Sequence, residues 1–253
     1  MHTNGWIAFS KPKTQAKLRL FCFPHAGGGA SAYRLWSEEL PPEIEVCPIQ
    51  LPGRENRVME PPLKSMSTLL DALVPVLLPY LNTPFAFFGH SLGALISFKL
   101  ARHLRSAHDL QPVHLFVSGY QGPPLPCKIP PMSHLPDDEF LSQLRSLEYT
   151  PEAVFQHQEL VDLLLPALKA DFSVLENCDY SEEAPLDCPI SAFGGERDIL
   201  VFEEDLKAWE SHTATSFKMR IYPGGHFFLQ NSQKSILKAI SDDLKKNSNS
   251  FPR

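Results

Sequence analysis

With 253 residues, 43% of them hydrophobic, the chain is long enough for one sizeable core and short for two, so a single domain over residues 1–253 is the simplest organisation. Its net charge of -6 excludes an electrostatic grip on nucleic acid or on an acidic membrane surface. Residues 1–15 lack the apolar core of a signal peptide, and the most hydrophobic stretch, Leu69 to Leu81, is interrupted by Asp71, Pro75 and Pro79, which excludes a membrane span and predicts a cytoplasmic protein.

The first strand-like run, residues 18–23, leads into Pro24-His25-Ala26-Gly27-Gly28-Gly29. A glycine-rich loop after an early strand suits either a phosphate cradle or the backbone donors of an oxyanion hole. Neither GxGxxG nor GxxxxGK[ST] is present, which disfavours a nucleotide and leaves the Ala26 N–H as a candidate donor. His25 either polarises a pocket or fixes the loop, and fixing is the commoner role for a histidine so placed. A second run at residues 44–49 is followed by Leu51-Pro52-Gly53-Arg54-Glu55, where Arg54 and Glu55 are expected to pair beside the turn without a catalytic part. Cys22 and Cys47 fall in these strands. Five cysteines, an odd number without CxxC spacing, read as reduced small hydrophobes.

The third run, residues 85–89, carries the main signal. Gly89-His90-Ser91-Leu92-Gly93 sits between Phe85-Ala86-Phe87-Phe88 and the helical pattern Leu92, Leu95, Ile96, Leu100, Leu104. In a strand-turn-helix elbow the positions two before and two after the serine are crowded, and only glycine avoids the clash. Such a bend lifts the Ser91 hydroxyl above the strand end, while the start of the helix offers the Leu92 N–H to a developing oxyanion. His90 is expected to be a buried packing residue, and Lys99, Arg102 and Arg105 a solvated helix face.

After a fourth run at residues 113–118 the alternation of strand and helix fails over about residues 120–186. This segment opens with the proline-rich residues 121–131, stiff and extended in character. Helical patterns follow at residues 137–147 (Phe140, Leu141, Leu144, Leu147) and 158–165, then again after Pro166, which starts a helix more readily than it sits inside one. An apolar helical insertion over a catalytic edge reads as a lid that shapes an acyl pocket.

The last two runs, residues 189–193 and 217–222, each end in a turn, one carrying Asp198 and the other His226. A serine hydroxyl needs a base to take its proton, and the base needs an acid to hold its tautomer. In a parallel sheet the carboxyl ends of all strands lie on one edge, so Ser91, Asp198 and His226 can meet, and their order along the chain is that of the α/β-hydrolase fold. The expected fold class is therefore α/β, a mainly parallel central sheet with helices on both faces and a helical lid. Asp171 competes for the acid, but it lies in a helical pattern with Leu168, Phe172 and Leu175, whereas Asp198 occupies a post-strand loop. A final helix buries Ile236, Leu237, Ile240 and Leu244, and the polar residues 245–253 are expected to fray.

Six ordered motifs, Phe23 to Gly28, Leu51 to Glu55, Phe88 to Ala94, Leu168-Lys169-Ala170-Asp171-Phe172, Gly194 to Asp198 and Gly225-His226-Phe227-Phe228-Leu229, resemble those of the type II thioesterases over roughly residues 18–240. These are stand-alone editing hydrolases of polyketide and nonribosomal peptide synthases. The resemblance implies Ser91, Asp198 and His226 as catalytic triad, and an acyl thioester on the phosphopantetheine arm of an acyl or peptidyl carrier protein as substrate. Related enzymes release medium-chain fatty acids from fatty acid synthase, which is the alternative substrate. Leu92 stands where many members carry methionine, an apolar exchange that leaves the backbone donor intact. The chain starts only a few residues before its first core strand, so the carrier is expected in trans. A thioester needs little protonation of its leaving group, and neither HExxH nor a zinc-spaced Cys/His cluster is present, so no metal or other cofactor is expected. Two other classes use the same fold: a small-molecule carboxylesterase or lipase, and a catalytically silent binding protein.

Overall fold

A computed structural model describes residues 5–147 and 157–248. In it the six runs become β1 (Leu18–Phe23), β2 (Ile44–Pro48), β3 (Phe85–His90), β4 (Leu115–Ser118), β5 (Ile190–Gly195) and β6 (Phe217–Tyr222). They pair in parallel as one sheet of order β2-β1-β3-β4-β5-β6. Side chains alternate between its faces: Phe21, Phe23, Phe85 and Phe87 enter one apolar cluster, and Leu20, Cys22, Ala86 and Phe88 the other. Burial on both faces is what makes these strands read as near-continuous apolar runs.

The first face is covered by α2 (Met66–Leu77) and α3 (Leu92–His108), through residues such as Leu69, Leu73, Leu95 and Phe98. The second is covered by α1 (Trp36–Glu39) and the final helix, whose Ile236, Leu237, Ile240 and Leu244 are buried as the periodicity requires. Between β4 and β5 the chain leaves the sheet for α4 (Asp137–Ser146) and α5 (Gln158–Glu176); residues 148–156 of this segment lie outside the described residues. The short α6 (Glu203–Lys207) follows β5, and α7 (Phe228–Ser248) closes the chain. Residues 245–248 of the tail expected to fray are helical, and 249–253 lie outside the described residues.

Two expectations are corrected. Pro166 does not divide two helices: α5 runs through it. The side chain is exposed, and the missing N–H would have served the carbonyl of Asp162, on the exposed side where water replaces it, while Leu165, Leu168 and Phe172 pin the opposite face. Nor do the basic residues of α3 form a solvated face. Arg102 is buried and donates to the Ser181 carbonyl, Arg105 donates to the carbonyls of Ala184 and Pro185, and Lys99 donates to that of Asp179. With Glu183 pairing both arginines, they strap the chain leading from α5 into β5 across α3.

All five cysteines are unpaired, with Cys22 and Cys47 buried in their strands. Among the described residues no helix is long and apolar enough to cross a membrane.

Candidate functional site

β3 turns into α3 at Ser91, which has φ 53° and ψ -117°, a left-handed backbone that a non-glycine residue adopts only when its surroundings enforce it. The enforcement is visible. A carbon added to Gly89 would collide with the Gly93 carbonyl, and one added to Gly93 with the Phe23 carbonyl at the end of β1. The Ser91 N–H donates to the Ser118 carbonyl at 2.8 Å, stitching the elbow to the end of β4.

The loops after β5 and β6 are zipped to each other: Glu196 N–H donates to the Tyr222 carbonyl and Arg197 N–H to that of Gly224. This brings Asp198 Oδ2 to 2.8 Å from His226 Nδ1. The other carboxylate oxygen accepts the N–H groups of Leu200 and Val201 at 3.0 and 3.3 Å, so the acid is fixed at both ends. A carboxylate only accepts, so Nδ1 is the donor of this bond, and the tautomer it selects has its lone pair on Nε2. The ring lies over the end of β4, where a carbon added to Gly119 would be 3.3 Å from its Cε1, and Gly119 and Ser91 line the same cavity. His90, buried as expected, supports it from below: its Nδ1 is 3.0 Å from Ser118 Oγ and the two imidazole centroids are 5.1 Å apart.

The loop after β1 is held by a device that the sequence did not disclose. Arg54 does not pair with Glu55. Its Nη1 and Nη2 donate to both oxygens of Asp171, at 2.5 and 2.9 Å, with both side chains almost wholly buried. The same Asp171 accepts the Gly27 N–H at 2.7 Å, and Arg54 Nη1 donates to the Gly28 carbonyl at 3.3 Å. Glu55 instead takes the Ser31 hydroxyl, and Gln50 takes the Ala30 N–H. The loop is thus clamped from α5 on one side and from the chain after β2 on the other. Asp171 spends its carboxylate on this clamp, and Asp198 is the acid beside His226. Among the described residues the Ala26 N–H takes no part in the bonding of the loop, and the Leu92 N–H is one of the unanswered donors at the start of α3. His25 packs its ring against Phe227 and lines a cavity with Ala26 and Ser91; burial pushes it down to about 4, so it is neutral at ordinary pH.

Two narrow cavities open from Ser91. One runs under Ile129, Leu144, Leu168, Phe172 and Leu175, and the other past Tyr120, Gln121, Cys127 and Lys128. Their free volumes, about 10 and 20 Å³, are close to the room for one water each.

A second serine, histidine and aspartate trio lies at Ser191, His114 and Asp243. Ser191 Oγ donates to Asp243 Oδ2 at 2.8 Å and is 2.9 Å from His114 Nε2. Here the hydroxyl proton goes to the carboxylate, the trio is buried, and Arg220 and Lys218 neutralise the aspartate, so the arrangement joins β5 and β6 to α7 and activates no nucleophile. Among the described residues no group of three or more His, Cys, Asp or Glu is placed to hold a metal ion.

The thioesterase domain family model matches residues 18–244. The chain is 48% identical over 242 residues to the gramicidin S biosynthesis protein GrsT of Aneurinibacillus migulanus, covering 96% of this chain and 94% of that one. It is 34% identical over 222 residues to the medium-chain S-acyl fatty acid synthase thioesterase of Homo sapiens, covering 85% and 82% of the two chains. Among solved structures it is similar to the type II thioesterase BorB from the borrelidin biosynthetic cluster, with TM-score 0.86, 36% identity, and 96% and 98% of the two chains covered.

Proposed function

Because the chain belongs to the thioesterase domain family and is a thioester hydrolase, we propose that Ser91, His226 and Asp198 form its catalytic triad and that it clears acyl groups from carrier proteins of a polyketide or nonribosomal peptide synthase. The observation that carries the triad is the Asp198–His226 pair, whose imidazole lies over the end of β4 beside Gly119, a residue that lines one cavity with Ser91.

In this reading His226 Nε2 takes the Ser91 proton as Oγ attacks the thioester carbonyl. The tetrahedral oxyanion is met by the N–H groups of Ala26 and Leu92, which the bonding of the loop and the elbow leaves available. The C–S bond breaks, and the imidazolium returns its proton to the departing thiolate. A water then attacks the Ser91 ester with His226 again as base, releasing the carboxylic acid and the free serine.

The synthase-editing substrate is favoured over the fatty acid synthase alternative by the higher identity to a gramicidin S biosynthesis protein than to the medium-chain fatty acyl enzyme. The carrier docks in trans and threads its arm to Ser91. Both cavities hold little more than a water, so α4 and α5 act as a lid whose side chains give way to any acyl group larger than acetyl.

The test is kcat/KM for one acyl group, acetyl and then butyryl, presented on a carrier protein, on coenzyme A and on a truncated thiol. A marked preference for the carrier is expected, since contacts remote from the reacting carbonyl hold the thioester beside Ser91. Equal efficiency on all three, or faster cleavage of a simple oxygen ester, would transfer the protein to the general esterases.

The loop donor has its own test. In Gly28→Val the added carbon meets the His25 ring at 2.7 Å and the two branch carbons crowd it further, so the ring must swing or the loop must shift, and a shifted loop carries the Ala26 N–H with it. The expected result is a fall in kcat on the order of a hundredfold with little change in KM. Unchanged kcat would make the loop only a turn.

A further inference from the structure

The two cavities that meet at Ser91 differ in chemistry, and the difference orients the substrate. The one under Leu144, Leu168, Phe172 and Leu175 is apolar and bounded by buried side chains, which fits an acyl chain. The other sets the polar side chains of Tyr120, Gln121 and Lys128 among apolar walls at Leu175, Leu200 and Val201, and reaches solvent at Lys128. We propose that this second cavity is the channel for the thiol side of the thioester, and that the side-chain amide of Gln121 binds the first amide of the incoming arm; the proposal rests on the thioesterase reading of Ser91.

Gln121 carries the argument. Its residue is 6% exposed, yet among the described residues its Nε2 meets no oxygen or nitrogen acceptor, and what its side chain does meet is the Cys127 thiol, a weak partner. An unanswered buried donor is costly, and a leucine or methionine would fill the same space without the cost. The backbone on either side is pinned: the Tyr120 carbonyl accepts Trp209 Nε1–H at 2.8 Å, and Gly122 N–H donates to the Asp205 carbonyl at 2.9 Å. The backbone that presents this side chain to the cavity is therefore fixed on both sides. Cys127 is no competing nucleophile, because burial pushes its thiol up and keeps it protonated.

The chemistry of the arm supplies the partner. A cysteamine-type thioester carries an amide two methylenes beyond sulfur, and a thiol side that enters the cavity lined by both Ser91 and Gln121, widening it beyond its present room for about one water, brings that amide towards Gln121. A primary amide presents both a donor and an acceptor, so it can answer either end of a secondary amide. An alkyl thiol of the same length offers nothing in return and leaves Gln121 unpaired.

The experiment compares wild type with Gln121→Leu on two small substrates, the butyryl thioesters of N-acetylcysteamine and of pentanethiol. Wild type should favour the amide-bearing substrate about tenfold in kcat/KM, the effect of one buried hydrogen bond. Gln121→Leu should remove that preference by slowing the amide-bearing substrate alone, with a melting temperature unchanged or raised because the orphan donor is gone. Gln121→Met should behave likewise, and decides the matter if the leucine variant does not fold. Equal losses on both substrates, or a loss that follows a change from butyryl to hexanoyl on one thiol, would overturn the assignment. Failure of the carrier reading would be separate: it would appear in wild type as no gain from a carrier protein, while discrimination between the two small thiols stood.

Discussion

Ser91→Ala is expected to fold as the parent does and to lose turnover by about a millionfold, the loss seen when the serine of such a triad is removed. Everything that shapes the elbow survives the change. The collisions that reserve positions 89 and 93 for glycine involve backbone carbonyls, and the bond from residue 91 to the Ser118 carbonyl uses the main-chain N–H. Alanine bears the positive φ at about the same cost as serine, since neither is β-branched. Thermal melts of the two proteins should therefore coincide within a few degrees while single-turnover rates separate. In wild type stalled with a slowly released acyl group, mass spectrometry should find the adduct on Ser91. An adduct on any other residue, or appreciable turnover by the alanine variant, would remove the nucleophile from the mechanism.

The sheet was legible because its strands are short apolar runs punctuated by glycine and proline loops, and the observed boundaries fall within a residue or two of the expected ones. β5 continues to Gly195, where its ladder with Tyr222 holds the two functional loops together. The elbow was legible because its glycines answer to a local steric rule. Asp198 and His226 were legible because parallel strands deliver their carboxyl ends to one edge. The clamp on the first loop was not. Arg54 and Asp171 are 117 residues apart, and the nearest opposite charge to Arg54 in sequence, Glu55, is engaged elsewhere. Which of two neighbouring charges turns inward depends on how α5 packs over the loop, and the local proline rule, which predicts a break in α5 at Pro166, is overridden by the apolar face around it. The straps from α3 to residues 179–185 escaped for a similar reason: the acceptors are mainly carbonyls of an irregular segment, and carbonyls have no sequence signature.

The two aspartates make the second large prediction, because each has different partners and the triad reading gives each a different signature. Asp198→Asn keeps the oxygen that accepts from Leu200 and Val201, so the loop is retained. What replaces Oδ2 is an NH₂ group, which donates to His226 Nδ1 and drives the ring proton to Nε2, which then has no lone pair to take the Ser91 proton. A loss of about four orders of magnitude in kcat is expected, with a modest change in melting temperature. Asp171→Asn should do the opposite. The Arg54 guanidinium stays buried without its counter-charge, a situation that costs roughly 3–5 kcal/mol when a partner is removed outright and less when an amide oxygen remains to accept. The melting temperature should fall by several degrees, and kcat, through a loosened Gly27–Gly28 backbone, by no more than about a hundredfold, the worth of one oxyanion donor. Rates are compared at a temperature where both variants are folded by circular dichroism. If Asp171→Asn proved the more damaging to kcat under those conditions, the acid of the triad would have to be reassigned, and the bond from His226 to Asp198 would become a structural one.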